Sequence, residues 1–443
     1  MKGAKRYENV RLKMLCWAAQ SHQPAVRKFA SEFEAETGAS IEFEALPAPG
    51  AYGWWALEPL AVHDSGSDYP QFDLFCDDNE HQHALWPHFL PLNDLMRKFD
   101  YQTNDFFPTV ARYGERVGGQ QGLRYGLPVR TRTPFVYYRT DLIGHLPGTW
   151  EELEKAFADN TGAGNYGFTA EVAYYPFHPF GLAHETAKSF LARYWAMGDP
   201  VFSPDWKPLI DGDKGVAAME MLKRQITQYG PPGMSQIPDL MTWDGARALQ
   251  EFLDGKIAVM ELAGEGDISL TSKKLQDPTR SKVRDKWSIG LYPGRGAMPM
   301  TYHTMSIFKH SKHPEAAFEF IAYCTGAAGA RRLHLEHGEN SPRRSVMTSA
   351  EAIDRDPYVP GRVAALERAI PPTVPLAQWM DFQSALWEAV QFSFLGFLPV
   401  KTALTRAARK WSQLLEQAPP RWEYWESAGP GGPVLRQSGG RVI

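Results

Sequence analysis

The chain has 443 residues and a formal net charge of −4; 43% of its residues are hydrophobic and 22% are charged. This length predicts two or more globular lobes, and the charge balance excludes a general electrostatic attraction to nucleic acid or to an anionic membrane. No apolar run is long enough for a membrane-spanning helix. The three cysteines, Cys16, Cys76 and Cys324, each sit among apolar residues, which predicts buried thiols rather than a disulfide framework.

The first predicted elements are strands with one helix between the first two. Ser21 and Pro24 mark the start of this helix, and Gly38 marks its end. The order of strands and helix predicts a mostly parallel sheet with helices on its faces. The predicted strands cover residues 11–19, 41–45 and 71–76.

A second α/β segment follows residue 142. Thr149 and Glu152 have the spacing of a capping box, which predicts the start of a helix. Residues 417–443 are rich in Pro, Gly and Ser and are expected to form a loosely held tail, in which Trp422 and Trp425 could dock on the rest of the protein. Further helices are predicted at 216–229, from 314 onward, and at 362–369, 382–394 and 401–416, and further strands at 167–175, 257–262, 287–294 and 304–308.

Nucleotide binding has no support in the sequence, because no phosphate-binding loop of either familiar glycine pattern follows a predicted strand. A metal site has weak support. His81 and His83 lie beside Asp77, Asp78 and Glu80, and such ligands suit zinc or iron, although a solvated polar loop explains the same residues.

Hydrolysis of a glycoside is a second alternative. Glu261, Glu265 and Asp267 lie at or after the end of a predicted strand, where a pair of carboxylates could act as acid and base. Sequence spacing does not give the carboxyl separation that would test this hypothesis.

Recognition of a polyol explains more of the sequence. Open α/β sheets bind ligands at the carboxyl ends of their strands. A polyol needs aromatic faces for its rings and charged groups that reach neighbouring hydroxyls. Residues of these types at predicted strand ends are Trp17, Asp77, Asp78, Asn79, Glu80, Arg130, Arg132, Tyr174, Tyr175, Glu261, Gly264, Glu265 and Asp267.

Several short motifs, and their order along the chain, resemble those of the extracellular solute-binding proteins of ABC transporters, specifically the maltose-binding-protein-like sugar binders. The similarity extends over residues 10–415. The motifs are GLP and YYRTDL at 126–128 and 137–142, PGTWEEL at 147–153, FLDGKIAVM at 252–260, WSIGLYPG at 287–294 and HPEAAFEFI at 313–321.

This resemblance implies the type II two-lobe periplasmic-binding-protein fold, in which each lobe is a mostly parallel sheet flanked by helices and the ligand lies in a cleft at the hinge. It also implies a monomeric, non-enzymatic receptor without a cofactor that delivers a carbohydrate to a membrane permease. We expect no signal peptide in the sequence as given, so a periplasmic location follows from the resemblance alone. The implied lobes are 1–129 with 290–337 and 130–289 with 338–416, the tail is 417–443, and the implied crossings lie near 127–133, 288–293 and 337–343.

The resemblance also bears on the ligand site. In this family the glycine-rich loop after the strand at 257–262 usually presents an aromatic ring to the sugar, and here residues 263–267 contain none. Arg130 and Arg132 lie on the first crossing and suggest an acidic or sulfonated sugar; alternatively, they pair with Asp77, Asp78 or Glu265. The residues expected to replace the missing aromatic ring are Tyr174, Tyr175, Trp243, Trp379, Trp54 and Trp55. His303 and Arg343 are the remaining residues expected to bind the ligand.

Overall fold

The computed structural model divides into two compact units, each with its own sheet and helices. The first unit is Met1–Thr131, Thr301–Val359 and Thr373–Met380, and the second is Arg132–Met300, Pro360–Pro372 and Asp381–Ile443. The residues that the structure describes are 5–17, 23–46, 72–78, 82–83, 85–115, 122–162, 164–170, 172–173, 184–198, 200–235, 242–262, 268–294, 298–371 and 376–417.

The described strands are β1 (Arg11–Trp17), β2 (Ser40–Leu46), β3 (Leu74–Asp78), β4 (Leu127–Arg132), β5 (Phe135–Arg139), β6 (Tyr166–Ala170), β7 (Val172–Ala173), β8 (Thr242–Trp243), β9 (Ile257–Leu262), β10 (Trp287–Gly290), β11 (Met298–Pro299), β12 (Thr301–Ile307) and β13 (Ala369–Ile370). The described helices are α1 (Gln23–Thr37), α2 (Asn93–Lys98), α3 (Pro108–Gly114), α4 (Thr140–Ile143), α5 (Trp150–Thr161), α6 (His184–Ala196), α7 (Asp213–Tyr229), α8 (Pro232–Ser235), α9 (Gly245–Leu253), α10 (Ile268–Gln276), α11 (Pro314–Thr325), α12 (Ala327–His337), α13 (Arg344–Met347), α14 (Ala350–Arg355), α15 (Val359–Glu367), α16 (Trp379–Phe394) and α17 (Val400–Gln417), together with a short 3₁₀ helix, Trp86–His88. Among these helices, none is both long and apolar enough to cross a bilayer.

The sheet of the first unit has the strand order β2-β1-β3-β12-β4. β1 runs parallel to β2 and β3, whereas β12 runs antiparallel to β3. Because side chains alternate along a strand, β1 supplies both faces of the sheet: Leu12 and Met14 join the core formed with α1 and α11, and Leu15 joins a second cluster around Phe75 and Phe89.

The three cysteines are buried thiols of this first unit, as the sequence predicted. Cys16 and Cys76 are partners across β1 and β3, and Cys324 lies on α11. Burial raises the pKa of Cys16 to about 11 and also raises the pKa values of Cys76 and Cys324. The thiols are therefore protonated and shielded at neutral pH.

The sheet of the second unit has the order β10-β5-β9-β6. β6 and β9 pair in parallel, whereas β5 is antiparallel to both of its neighbours, β9 and β10. β6, β9 and β10 therefore run in one direction, and β5 alone opposes them. The expectation of a mostly parallel sheet holds for the direction of these strands, although the insertion of β5 between β9 and β10 makes two of the three adjacent pairs antiparallel.

The capping box at the start of α5 is confirmed. The Thr149 hydroxyl accepts a hydrogen bond from the Glu152 amide at 3.2 Å, and the Glu152 carboxylate accepts one from the Thr149 amide at 3.3 Å. The helix buries Trp150, Leu153 and Phe157. The capping box thus fixes where α5 begins and which face it presents to the sheet.

Two boundaries differ from those expected and affect the position of candidate residues. β3 runs to Asp78 rather than stopping at Cys76, because β12 pairs with its last residues. Asp77 therefore belongs to a strand and not to a loop. Residues 338–359, expected in the C-terminal lobe, pack with the first unit.

Candidate functional site

The carboxyl ends of β1 and β3 meet at one edge of the first sheet, because these strands are parallel. β12 is antiparallel to β3, so its first residues lie at the same edge: His303 is the strand partner of Asp78, and Thr304 is the partner of Asp77. Asp77 is 1% exposed, and its carbonyl oxygen accepts a hydrogen bond from the Thr304 hydroxyl at 3.4 Å. We call this the strand-end edge of the first unit.

Arg130, near the end of β4, reaches this edge. Its Nη1 donates to Oε2 of Glu339 at 3.1 Å, and its Nη2 donates to Nε2 of His303 at 3.2 Å. Arg130 is 6% exposed, His303 is 2% exposed and Glu339 is 3% exposed. The guanidinium is thus buried beside a carboxylate of opposite charge, and the arrangement requires that Nε2 of His303 carry no proton.

Glu339 reaches Arg130 because of the way α12 ends. Gly338 has a φ of 77°, and its amide donates to the His334 carbonyl. The bond from Gly338 is the 5→1 bond of an αL cap, and the next amide, that of Glu339, donates to the Leu333 carbonyl. Glu339 was absent from the residues that the sequence selected, although the predicted crossing at 337–343 contains it. A glycine directly after a helical pattern was the signal that could have drawn attention to the next residue.

Arg343 lies in the same unit but is engaged elsewhere. Its Nε donates to the Thr325 carbonyl at 2.8 Å and its Nη2 donates to the Gln102 carbonyl at 3.1 Å. The guanidinium also lies over the rings of Tyr101 and Phe106, at 5.3 and 4.8 Å from the ring centroids. Arg343 therefore joins buried segments of the first unit, and the expectation that it contacts the ligand has no support in its surroundings.

Glu261, at the end of β9 in the second unit, forms a buried ion pair with Arg193. Nη2 of Arg193 donates to Oε1 of Glu261 at 2.6 Å, and the Ser189 hydroxyl donates to Oε2 at 2.7 Å. Arg193 is fully buried, also donates to Gln225, and lies 3.9 Å from the centroid of the Trp150 ring. Glu261 is thus part of the core, and neither the ligand contact nor the acid–base role expected of it fits this environment.

Among the tryptophans expected to contact the ligand, Trp243 and Trp379 have described side chains, and both are core residues. Trp243 is 1% exposed in the second unit, with the Arg247 guanidinium 4.3 Å from its ring centroid. Trp379 is 1% exposed in the first unit. Neither offers an open ring face to a sugar, so we correct the expectation that they replace the missing aromatic platform. Arg132 is half-buried at the end of β4.

Many of the expected ligand residues lie outside the described part of the chain. The structure describes the backbones of Trp17 and Asp78 at the strand-end edge but not their side chains. The residues wholly outside the description are Trp54, Trp55, Asn79, Glu80, Tyr174, Tyr175, Gly264, Glu265 and Asp267.

The metal hypothesis concerned His81 and His83. His81 lies outside the described residues, and His83 is fully buried, which lowers its pKa to about 3. A neutral imidazole is suited to metal binding, but within the described ranges no three His, Cys, Asp or Glu side chains are arranged to hold an ion.

Comparisons with solved structures show the same fold. The maltose-bound protein MalE3 of T. maritima superposes with a TM-score of 0.74 at 20% identity, over 92% of this chain and 100% of that chain. A solute-binding protein of Agrobacterium radiobacter K84 in complex with ribitol gives 0.72 at 20% identity, over 93% and 100%. One of Agrobacterium vitis S4 with bound D-mannitol gives 0.70 at 19% identity, over 93% and 99%. The two-lobe α/β fold implied by the sequence motifs is confirmed.

The family comparison gives information on function as well as on fold. A model of the bacterial extracellular solute-binding proteins matches residues 28–361, which is most of the chain. This match favours solute binding over glycoside hydrolysis, in agreement with the core position of Glu261. The chain belongs to the bacterial extracellular solute-binding protein family.

Proposed function

We propose that this protein is the receptor of an ABC importer, that it works in the periplasmic or extracellular space, and that it binds an uncharged carbohydrate or polyol at the strand-end edge of the first unit. The observation that carries the proposal is the pairing of Arg130 with Glu339 at this edge. The named ligands of the structural neighbours, maltose, ribitol and D-mannitol, support it.

The charges at the edge favour a neutral ligand over an acidic one. Arg130 and Glu339 are both almost fully buried, so the positive charge already has its counter-charge. A carboxylate or sulfonate would lose its hydration and would be repelled by Glu339 as well as attracted by Arg130. The attraction does not offset the lost hydration and the repulsion, because Glu339 already neutralises Arg130. Sugar hydroxyls both donate and accept, and they can join such a pair without disturbing its charge balance. The proposal therefore replaces the acidic or sulfonated sugar with a neutral one.

Several features that the sequence resemblance implied are also part of this proposal. They are the cleft and its three crossings, the lobe boundaries, a permease as membrane partner, the monomeric state, and the ligand contacts expected from the undescribed side chains. Among the latter, Trp17 and Asp78 are favoured, because their backbones lie at the strand-end edge.

Calorimetry tests the proposal. The wild-type protein would be titrated with a panel of neutral sugars and polyols, and with the uronate that corresponds to each sugar. We expect saturation at one ligand per chain, no product by chromatography, and tighter binding of at least one neutral compound than of its uronate. Turnover, or preference for the uronates, would contradict the proposal.

The variant Glu339→Gln sharpens the test. It removes the negative charge of Glu339 from beside Arg130 and with it the repulsion of an acidic ligand, so the ratio of uronate affinity to neutral-sugar affinity should rise at least about tenfold. The control is Glu351→Gln, which neutralises a half-exposed carboxylate elsewhere in the first unit. An unchanged ratio in Glu339→Gln would show that the Arg130–Glu339 pair does not face the ligand.

A further inference from the structure

The backbone around Glu339 fixes this residue in the first unit. Its amide donates to the Leu333 carbonyl, and its carbonyl accepts a hydrogen bond from Nδ1 of His334 at 2.9 Å. The next carbonyl, that of Asn340, accepts hydrogen bonds from the amide and the hydroxyl of Thr131, at 2.9 and 3.3 Å. The segment is therefore tied both to α12 and to the end of β4, so the direction of the Glu339 side chain is set before any ligand binds.

The two oxygens of the Glu339 carboxylate have different surroundings. Oε2 accepts a hydrogen bond from Nη1 of Arg130 at 3.1 Å. Oε1 is shielded from solvent and accepts no hydrogen bond from any group in the described part of the chain. A carboxylate oxygen that is buried without a donor costs free energy, because it has lost the water molecules that would otherwise donate to it. Oε1 therefore calls for one further hydrogen-bond donor, which the described residues do not supply.

The charges beside Oε1 decide which kind of donor fits. Arg130 and Glu339 already balance each other, so an ammonium group would be repelled by the Arg130 guanidinium. A carboxylate, an ether oxygen or a fluorine has no proton to donate. A hydroxyl group is uncharged and donates, and its hydrogen bond to a carboxylate belongs to the strong, charge-assisted class.

We propose, on the basis of the proposed function, that Oε1 of Glu339 accepts a hydrogen bond from one hydroxyl group of the bound sugar or polyol. Glu339 is then a specificity-determining residue, and the hydroxyl that it contacts must be unsubstituted. A compound in which this hydroxyl is methylated, glycosidically linked or replaced by fluorine leaves Oε1 buried without a donor and is rejected.

Calorimetry with fluorinated probes tests this role of Glu339. Maltose, ribitol, D-mannitol and the other neutral compounds of the panel would be titrated into the wild-type protein, followed by the monodeoxyfluoro derivatives of each compound that binds. Fluorine occupies the place of a hydroxyl but donates no hydrogen bond. Replacement of one particular hydroxyl should weaken binding at least about tenfold, because the lost bond is to a charged group.

The variant Glu339→Gln assigns this loss to Oε1. Since Nη1 of Arg130 donates, the carbonyl oxygen of the new amide would face Arg130, and its NH₂ group would take the place of Oε1. The site then presents a donor instead of an acceptor, so the loss caused by fluorine at that position should become at least about fivefold smaller. Losses at the other positions should stay as in the wild type. The control Glu351→Gln, a half-exposed carboxylate elsewhere in the first unit, should keep the wild-type pattern.

A crystal structure of the wild type with the bound compound gives a check that needs no variant. A ligand hydroxyl oxygen should lie about 2.5–3.0 Å from Oε1 of Glu339, and a water molecule in that place would overturn the proposal. Equal losses in the wild type and in Glu339→Gln, or tolerance of fluorine at every position, would also overturn it while leaving the receptor function intact. If no neutral sugar or polyol bound to the wild type, the proposed function itself would fail, and the role of Glu339 with it.

Discussion

The buried pair of Arg193 and Glu261 gives the sharpest prediction on the second unit. The substitution Glu261→Gln keeps the shape of the side chain but leaves a fully buried guanidinium without its counter-charge. Breaking a buried ion pair in this way costs about 3–5 kcal/mol. Since about 2–4 °C of melting temperature corresponds to 1 kcal/mol in a unit of this size, we expect a decrease of about 6–20 °C.

Scanning calorimetry and chemical denaturation measure this effect. The control is the double variant Arg193→Met/Glu261→Met, which removes both charges and retains an apolar chain over the Trp150 ring. Its loss of stability should be clearly smaller than that of Glu261→Gln, because no uncompensated charge remains. If Glu261→Gln melted within about 2 °C of the wild type, the carboxylate would not be part of the core, and a role in ligand contact or hydrolysis would regain support.

Three further predictions concern the cap, the ligand and acid stability. Thr149→Ala should lower the free energy of unfolding by about 1 kcal/mol through loss of the α5 cap, while Thr149→Ser should not; denaturant titration measures both. A neutral sugar at 100 times its dissociation constant should stabilise the protein by about 2.7 kcal/mol in a thermal melt, and an absent shift for every sugar would contradict the receptor proposal. Hydrogen bonds from Lys28 and Arg332 lower the pKa of Glu336 to about 2, below its ordinary value of 4.5, and those from Arg332 also lower the pKa of Glu32. The pKa values of these carboxyl groups are lower in the folded state than in the unfolded state, so their stabilising effect is present above about pH 4.5 and is lost as the pH falls towards 2. In acid titrations of stability, Arg332→Met should make this loss smaller, and added salt should also make it smaller.

The elements that the sequence predicted well are those with strong local signals. The helix that begins at Pro314 and the strand at 257–262 were placed correctly, because proline fixes a helix start and an apolar run between turns marks a buried strand. The direction of pairing in the second sheet was not predictable in this way. Strand direction depends on contacts between distant segments, which a pattern of residues along the chain does not encode.

The candidate site shows the same division. Sequence position identified Arg130 and His303, because both lie near strand ends or a predicted crossing. It gave no indication that Glu339 would neutralise Arg130, since their pairing joins residues 209 positions apart. Glu261 illustrates the opposite error, because a carboxylate at a strand end has the same local pattern whether it faces a ligand or a buried arginine.

All three cysteines of the chain belong to the first unit, and all are buried. The second unit therefore contributes nothing to the reaction of the native protein with a thiol reagent. The rate of alkylation in folded conditions should report how often the first unit alone opens, without any introduced label. The natural sequence thus carries its own probe for comparing the opening of one unit with and without sugar.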